Sequence, residues 1–331
     1  MSKKLHFTMA CGDYEIARPL RDGRVQPDGI ELTVLSDPSS RDRTWRIARQ
    51  SEVDICEFNV CGYFMARSND HPYIALPVFL HRRFRHGFVF VNTQKGIKSP
   101  KDLIGKRVGS AHTFPPANNV WMRGILEEHY GAPVRSMTHV VDNFEDVPFD
   151  PTPDMNIEVN KSGKSMEQML LDGDLDALFA PSTPEPFLKG DKRIGRLFAD
   201  PKQEEVAYFK KTGIFPVMHA TLIRQEIVDK YPWVPTILVR AFEDAKRMAY
   251  GRVSNPRVVP LAFWVDAWEE QRALMGPDPW RYGMDEYNKK SLGAALRYTQ
   301  EQGLTKKNLG VEEQFCTVDQ QTITQRFGYG A

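Results

Sequence analysis

The chain has 331 residues, of which 41% are hydrophobic and 26% are charged, and its formal net charge at pH 7 is +1. This length is enough for two domains, and the composition is typical of a globular protein. The near-neutral charge argues against a nucleic-acid or membrane-surface partner, and no apolar stretch approaches the roughly 20 residues that span a bilayer. The bulk properties therefore exclude a nucleic-acid-binding protein and a membrane protein.

Two features of the sequence predict a cytoplasmic location. The N-terminal residues turn directly into a strand pattern, with no apolar segment or cleavage site of a secretory signal. Cys11, Cys56, Cys61 and Cys316 form no C-x-x-C pair and no regular framework, which is typical of small buried side chains in a reducing compartment.

Strand and helix patterns alternate along the first 80 residues. Apolar, β-branched runs predict strands at residues 5–9, 29–35, 53–58 and 73–79. Helical patterns between them lie at residues 14–22, 41–50 and 59–69. Such alternation predicts an α/β fold with a parallel sheet that helices cover on both faces.

A further strand is predicted at residues 88–91, and the same alternation restarts after Asn92. Strands are predicted there at residues 106–110, 137–141, 176–180 and 213–223, with helices at 99–103, 118–130 and 165–171. The proline-containing stretches 142–163 and 181–192 read as loops. From Pro232 onward the pattern is mostly helical and predicts a C-terminal extension that covers a cleft or forms a homo-oligomer interface.

This organisation predicts two α/β lobes, with the second lobe inserted in the first. Lobe 1 would comprise residues 1–86 and 218–331, and lobe 2 residues 87–217. Two segments, 84–92 and 214–223, would then cross between the lobes. The arrangement resembles the type II periplasmic-binding-protein fold, in which a ligand is held in the cleft between the lobes.

The order of motifs along nearly the whole chain resembles the 4,5-dihydroxyphthalate decarboxylase family, which uses this fold. The segments that carry the resemblance are Asp54-Ile55-Cys56-Glu57-Phe58, Arg82-Arg83-Phe84-Arg85-His86, Gly105-Lys106-Arg107-Val108-Gly109, Trp121-Met122-Arg123-Gly124, Gly173-Asp174-Leu175-Asp176-Ala177-Leu178, Pro216-Val217-Met218-His219, Trp264-Val265-Asp266 and Gln302-Gly303-Leu304-Thr305. The resemblance implies a decarboxylase that converts 4,5-dihydroxyphthalate to protocatechuate and CO2 without an organic cofactor. The loop at residues 110–119 departs from the family pattern, which bears on the identity of the substrate.

Decarboxylation of an aromatic ring needs a proton donor for the ring carbon, and histidine is the usual group near pH 7. His86 and His219 are the candidates, because each lies on a predicted crossing segment. Glu57, at the end of a predicted strand, is a candidate base for the phenol or an orienting partner for a histidine. The alternatives are two core histidines and a solvated strand-end carboxylate.

Arg83, Arg85 and Arg123 are candidates for holding the two carboxylates of a phthalate, because guanidinium groups stay charged and donate paired hydrogen bonds. For the first two, the alternative is a solvated basic turn. Arg123 is equally compatible with a surface position on a helix.

Four further residues are predicted to contact the substrate. Trp121 could stack on the aromatic ring, although an aromatic residue at helical spacing is more often part of a core. His112 and Thr113 precede a helix N-terminus, which favours bound anions. Asp266 lies between two tryptophans and is a weaker candidate.

No cofactor is predicted, because the sequence has no phosphate-binding loop and no dinucleotide fingerprint. A divalent metal remains an alternative, since Glu57, His86, His219 and Asp266 are suitable ligand types, although their spacing matches no metal motif. The expected partner is a small aromatic carboxylate. The competing hypothesis is a solute-binding protein that captures such a carboxylate for a transporter without catalysis.

Overall fold

The computed structural model describes residues 4–36, 52–110, 113–142, 154–307 and 309–319. The helix predicted at residues 41–50 and the candidate His112 lie outside these ranges.

Within the described residues the chain forms eleven strands and ten α-helices. The strands are β1 (Leu5–Cys11), β2 (Ile30–Ser36), β3 (Ile55–Asn59), β4 (Tyr73–Arg82), β5 (Val89–Asn92), β6 (Arg107–Ser110), β7 (Thr138–Val141), β8 (Ile157–Val159), β9 (Ala177–Phe179), β10 (Ile194–Arg196) and β11 (Val217–Arg224). The helices are α1 (Arg18–Arg21), α2 (Val60–Ser68), α3 (Ala117–Tyr130), α4 (Met166–Asp172), α5 (Glu185–Leu188), α6 (Pro201–Thr212), α7 (Gln225–Lys230), α8 (Val234–Val253), α9 (Trp264–Met275) and α10 (Glu286–Glu301). None of these described helices combines the length and the hydropathy that a membrane crossing requires.

The first sheet has the strand order β2-β1-β3-β11-β4. Strand β1 pairs in parallel with β2 and β3, whereas β11 is antiparallel to both of its neighbours, β3 and β4. The sheet is therefore mixed and not wholly parallel as predicted. The reason is that β11 returns from the second lobe and enters the sheet in the opposite direction.

The second sheet has the order β10-β5-β9-β6-β7-β8. All of its strands lie between β4 and β11 in the chain, so the second sheet is an insertion in the first. Strands β6, β7, β8 and β9 pair in parallel, while β5 runs antiparallel to β9 and β10. Two short elements, β8 and α5, lie in stretches that were predicted to be loops.

The two chain segments that cross between the lobes lie side by side. The backbone N–H of Arg83 donates to the carbonyl of Pro216 at 3.1 Å. The rings of Phe84 and Phe215 pack with their centroids 4.8 Å apart. Because the outgoing and returning segments hold each other, the strand ends on either side of them are fixed relative to the inserted lobe.

Helix α3 of the inserted lobe packs against α2 and α10 of the first lobe. The fully buried Trp121 donates its indole N–H to the carbonyl of Val217 at 2.9 Å, and its ring lies 5.6 Å from that of Tyr298. The largest hydrophobic cluster accordingly contains residues of both lobes, whereas two smaller clusters lie within the inserted lobe. The two lobes thus share one hydrophobic core on this side.

Candidate active site

Three side chains with acid–base chemistry lie on one face of the first sheet, in neighbouring strands. On β11, Thr221 lies opposite Glu57 of β3, and His219 lies opposite His81 of β4. Side chains alternate between the faces of a strand, so residues two apart share a face. Strand register therefore places Glu57, His219 and His81 side by side across β3, β11 and β4.

Glu57 is buried, with 1% of its surface exposed, and accepts three hydrogen bonds. The backbone N–H of Gly12 donates to Oε2 at 2.7 Å. The hydroxyl of Tyr14 and Nδ1 of His219 both donate to Oε1. A buried carboxylate needs such donors, because desolvation without them would strongly disfavour its charged form.

His219 connects the buried carboxylate to open space. Its side chain is 20% exposed, whereas that of Glu57 is not exposed at all. Since a carboxylate oxygen only accepts, the hydrogen-bond network assigns the proton of His219 to Nδ1. A carboxylate that holds Nδ1 in this way leaves Nε2 available for chemistry, which is the logic of carboxylate–histidine pairs in many active sites.

His81 packs against His219 from β4. The two imidazole rings are 4.8 Å apart between centroids and almost perpendicular, at 88°. Burial, together with the positive charges of His219, Arg83 and Arg85, lowers the pKa of His81 to about 2, against an opposing effect of Glu57. His81 is therefore a neutral imidazole at physiological pH.

Two arginines bring positive charge to the same region. The exposed Arg83 and the buried Arg85 both place their guanidinium groups over the ring of Phe88, at 5.2 and 4.8 Å from its centroid. Burial and the charge of Arg83 lower the pKa of Arg85, whereas Glu205 raises it. The combined effect is a pKa of about 9. Both cations are close enough to His81 to affect its pKa.

His86 lies in a different environment from the one predicted. It is fully buried among the rings of Tyr130, Phe198 and Tyr208, with centroid distances of 6.0, 5.4 and 5.4 Å. Neither ring nitrogen has a hydrogen-bond partner among the described residues. Burial and the neighbouring His129 together lower the pKa of His86 to about 4. These contacts favour a packing role for His86.

Arg123 and Trp121 belong to the core that joins the lobes. Arg123 is fully buried and donates from Nε to the side chain of Gln302 and from a terminal nitrogen to the carbonyl of Phe114, both at 2.7 Å. Its guanidinium lies 3.6 Å from the centroid of the Phe114 ring. These contacts, like those of Trp121, favour a packing role.

Asp266 and Thr113 complete the set of candidates. Asp266 is exposed in the first turn of α9. Thr113 is half-buried, and its carbonyl accepts a hydrogen bond from the side chain of Asn119 at 2.9 Å. The hydrogen bonds described for Glu57 and His219 do not involve Asp266 or Thr113. The predicted roles of Asp266 and Thr113 in substrate binding stay predictions.

Sequence reasoning missed His81 and Tyr14. The predicted fourth strand ended at Phe79, two residues before His81, whereas β4 continues to Arg82. Tyr14 was placed at the start of the helical pattern at residues 14–22, and no local pattern connects it to a carboxylate 43 residues further along the chain. A longer fourth strand would have placed His81 in the same sheet as His219.

The alternative of a divalent metal finds no ligand set in the part of the chain that the structure describes. No group of three or more His, Cys, Asp and Glu side chains in those residues is arranged to hold a metal ion. Of the four candidate ligands, Glu57 and His219 are in contact, whereas His86 lies in an aromatic cluster and Asp266 lies on the surface of α9.

Comparison with solved structures identifies the fold. The periplasmic sulfonate-binding protein SsuA of a putative sulfonate ABC transporter from Methylobacillus flagellatus KT superposes with a TM-score of 0.56 at 13% identity, covering 98% of this chain and 94% of that one. The periplasmic aliphatic sulphonate binding protein SsuA from Escherichia coli gives 0.56 at 12% identity, covering 96% and 93%. The desulfurization enzyme DSZB gives 0.51 at 13% identity, covering 97% and 98%. The chain thus has the two-lobed α/β fold of periplasmic solute-binding proteins, as predicted.

Sequence comparison identifies the family, although no family-wide profile matches the chain. The 4,5-dihydroxyphthalate decarboxylase of Comamonas testosteroni is 34% identical over 326 residues, which are 94% of this chain and 96% of the relative. The 4,5-dihydroxyphthalate decarboxylase of Pseudomonas putida is 34% identical over 207 residues, 60% of this chain and 79% of the relative. The chain belongs to the 4,5-dihydroxyphthalate decarboxylase family, and the prediction that it is a member of a carboxy-lyase family is confirmed.

Proposed function

We propose that this protein decarboxylates 4,5-dihydroxyphthalate to protocatechuate and CO2, with His219 as the proton donor and Glu57 as its orienting partner. The observation that carries the proposal is the pair itself, a partly exposed imidazole held at Nδ1 by a fully buried carboxylate. The names of the two relatives support the substrate.

The reaction replaces a carboxylate on the ring by a proton. In the proposed route, protonated His219 delivers a proton from Nε2 to the ring carbon that carries the carboxylate. The hydroxyl para to that carbon stabilises the positive charge that develops on the ring. The bond from the ring carbon to the carboxylate then breaks, its electron pair restores aromaticity, CO2 leaves, and His219 is reprotonated from solvent. A positioned general acid typically accounts for about a hundredfold to ten-thousandfold in rate.

Glu57 serves as an orienting group in this proposal and not as the base for the phenol. Its oxygens already accept hydrogen bonds from Gly12, Tyr14 and His219, and its side chain has no exposed surface. A substrate hydroxyl would have to displace one of these donors to reach it. The same three contacts hold the carboxylate where it determines the tautomer of His219.

Arg83 and Arg85 are proposed to bind the substrate carboxylates. Their guanidinium groups share the ring of Phe88, and Arg85 also donates to the carbonyl of Ala180 at 3.3 Å. Two neighbouring cations attract a dianion, and the contacts that hold the buried Arg85 in place reduce the cost of ordering it when the dianion binds. Arg123, Trp121 and His86 have no part in this proposal, because their contacts lie in packed cores.

The test is an absorbance assay of purified, chelator-treated protein with 4,5-dihydroxyphthalate, repeated with added divalent metal. We expect the wild type to form protocatechuate, and His219→Asn to lower kcat by about a hundredfold or more while still binding the substrate. His6→Asn is a matched control, because His6 is a solvent-exposed histidine of the same lobe whose side chain is 66% exposed.

Two results would contradict the proposal. Saturable binding of 4,5-dihydroxyphthalate without turnover would favour a solute-binding protein. Full activity of His219→Asn would remove His219 as the acid. A cytoplasmic location and self-association stay predictions, and neither affects this assay.

A further inference from the structure

We infer that His81 is a positioning residue for His219, and that its ring holds the plane of the His219 imidazole while Glu57 holds its Nδ1 atom. This inference deepens the proposed function and rests on it for its kinetic consequence. Its structural part concerns the substrate-free protein and is testable separately.

The pairing of β11 at His219 is regular on the β3 side but irregular on the β4 side, and backbone pairing does not by itself fix side-chain torsions. The pairing of β11 with β4 shifts register on both sides of His219, between Val217 and His219 and again between His219 and Thr221. On β4 the paired residue changes from His81 to Leu76 while β11 advances by only two residues. Such irregularities frequently re-aim a side chain beside an active site, and they weaken pairing locally.

Side-chain contacts therefore have to supply the orientation. The hydrogen bond to Glu57 fixes one atom of the ring, Nδ1, but leaves the ring free to turn about the line that joins the two residues. The nearly perpendicular ring of His81, 4.8 Å away, removes that freedom, because an edge-to-face arrangement is lost when either ring turns. The two contacts together direct Nε2.

The charge of His81 suits this role. The titratable and charged groups around it are Tyr14 after β1, Glu57 on β3, His219 on β11, and Arg83 and Arg85 after β4. Burial and the neighbouring cations together lower the pKa of His81 to about 2. His81 therefore packs against His219 without adding a second positive charge, even when His219 is protonated to act as an acid.

If His81 acts as a neutral ring that positions His219, different substitutions of His81 should have different effects. Phenylalanine keeps the ring and the edge-to-face contact but has no nitrogen. Asparagine keeps polar atoms and is neutral but has no ring. If His81 acts through ring packing, phenylalanine is the conservative replacement and asparagine is not.

The experiment compares His81→Phe with His81→Asn, using kcat, KM and the nuclear magnetic resonance signal of the His219 Nδ1 proton in the substrate-free protein. We expect His81→Asn to lower kcat by about tenfold to a hundredfold with little change in KM, because a misplaced donor affects the chemical step. We expect the Nδ1 proton signal to broaden in the same variant, because a ring that turns varies the geometry of its hydrogen bond to Glu57. In His81→Phe, both kcat and the signal should stay close to those of the wild type.

Each other outcome decides against the inference. Loss of kcat in His81→Phe equal to that in His81→Asn, with both proteins folded by circular dichroism, would show that a ring nitrogen is required. Wild-type kcat and signal in His81→Asn would show that the ring is dispensable. If the wild type fails to turn over 4,5-dihydroxyphthalate, the proposed function fails, but the resonance comparison still decides whether His81 positions His219.

Discussion

Glu57 connects three parts of the chain through one carboxylate: the turn after β1, the middle of β3 and the start of β11. Glu57 therefore orients His219 for catalysis and also holds the three chain segments together. Hydrogen bonds to a buried charged acceptor are stronger than those between neutral groups, and removing the charge leaves its donors poorly matched.

We expect Glu57→Gln to lower kcat by about a hundredfold with a smaller change in KM, because the amide nitrogen of glutamine can only donate and would face one of the three donors. Steady-state kinetics would measure the effect. Glu31→Gln is the control, since the side chain of Glu31 is 61% exposed and pairs only weakly with His6. Equal kcat in the two variants would mean that Glu57 is not the orienting partner of His219.

At the scale of elements, the contact between α3 and α10 decides how the lobes meet. Gly124 of α3 lies against Tyr298 of α10, and a Cβ atom added at Gly124 would overlap the tyrosine ring. Tyr298 is 1% exposed and bonds through its hydroxyl to Glu128, so the ring has little room to move. The glycine is required here by close approach of two helices, since its backbone is helical.

We expect Gly124→Ala to reduce the free energy of unfolding by about 1–3 kcal/mol, the usual effect of overpacking a core, although alanine is the better helix former. Gly293→Ala in α10 is the matched control, because no atom lies within 4 Å of the added Cβ. The control should be neutral or stabilising by up to about 1 kcal/mol. Denaturant unfolding would compare the two variants, and the same sign of change in both would rule out this packing explanation.

At the scale of the whole molecule, a buried charge cluster ties α8 to the segment before α10. Lys246 is fully buried and donates to Glu243 at 3.2 Å, to Asp278 at 2.8 Å and to the carbonyl of Trp280 at 3.0 Å. Burial raises the pKa of Glu243, Lys246 lowers it, and Asp278 raises it. The combined effect is a pKa of about 7. Glu243 is therefore protonated in the folded protein over a pH range where it is ionised in the unfolded chain.

This difference makes stability depend on pH. Between the ordinary glutamate pKa of 4.5 and the folded value of about 7, the folded state holds a proton that the unfolded state has lost, so the free energy of unfolding falls as pH rises through this range. We expect Glu243→Gln to remove this dependence. The variant should therefore gain stability relative to the wild type by about 1 to 3 kcal/mol between pH ~5 and pH ~8.

Thermal unfolding across this pH range would measure the gain. Glu269→Gln on the exposed surface of α9 is the control and should show no trend with pH. A constant difference between Glu243→Gln and the wild type would show that Glu243 does not titrate in this window.

The sequence alone determined the two-lobed organisation, the family and most of the elements, because these depend on local patterns. Alternation of apolar strands and helical segments predicted most of the described strands. Helices α3 and α4 end at Gly131 and Gly173, whose backbone φ angles of +64° and +81° are typical of helix C-termini. The burial of the cysteines likewise follows from residue type, since all four are buried. Glu57 was identified as a candidate from its residue type and its position at the end of a predicted strand, and His219 from its residue type and its position on a predicted crossing segment.

Only the tertiary structure decided which candidates meet. Glu57 and His219 are 162 residues apart in the chain, and their contact depends on β11 returning antiparallel to β3 after a whole lobe has been inserted. The register between β11 and β4, and with it the contact of His81, is set by that return path and by the irregular pairing at His219, which no local pattern encodes. The role of Trp121 also depends on the tertiary structure. The other lobe covers the face of α3 that carries Trp121, so the residue packs between the lobes.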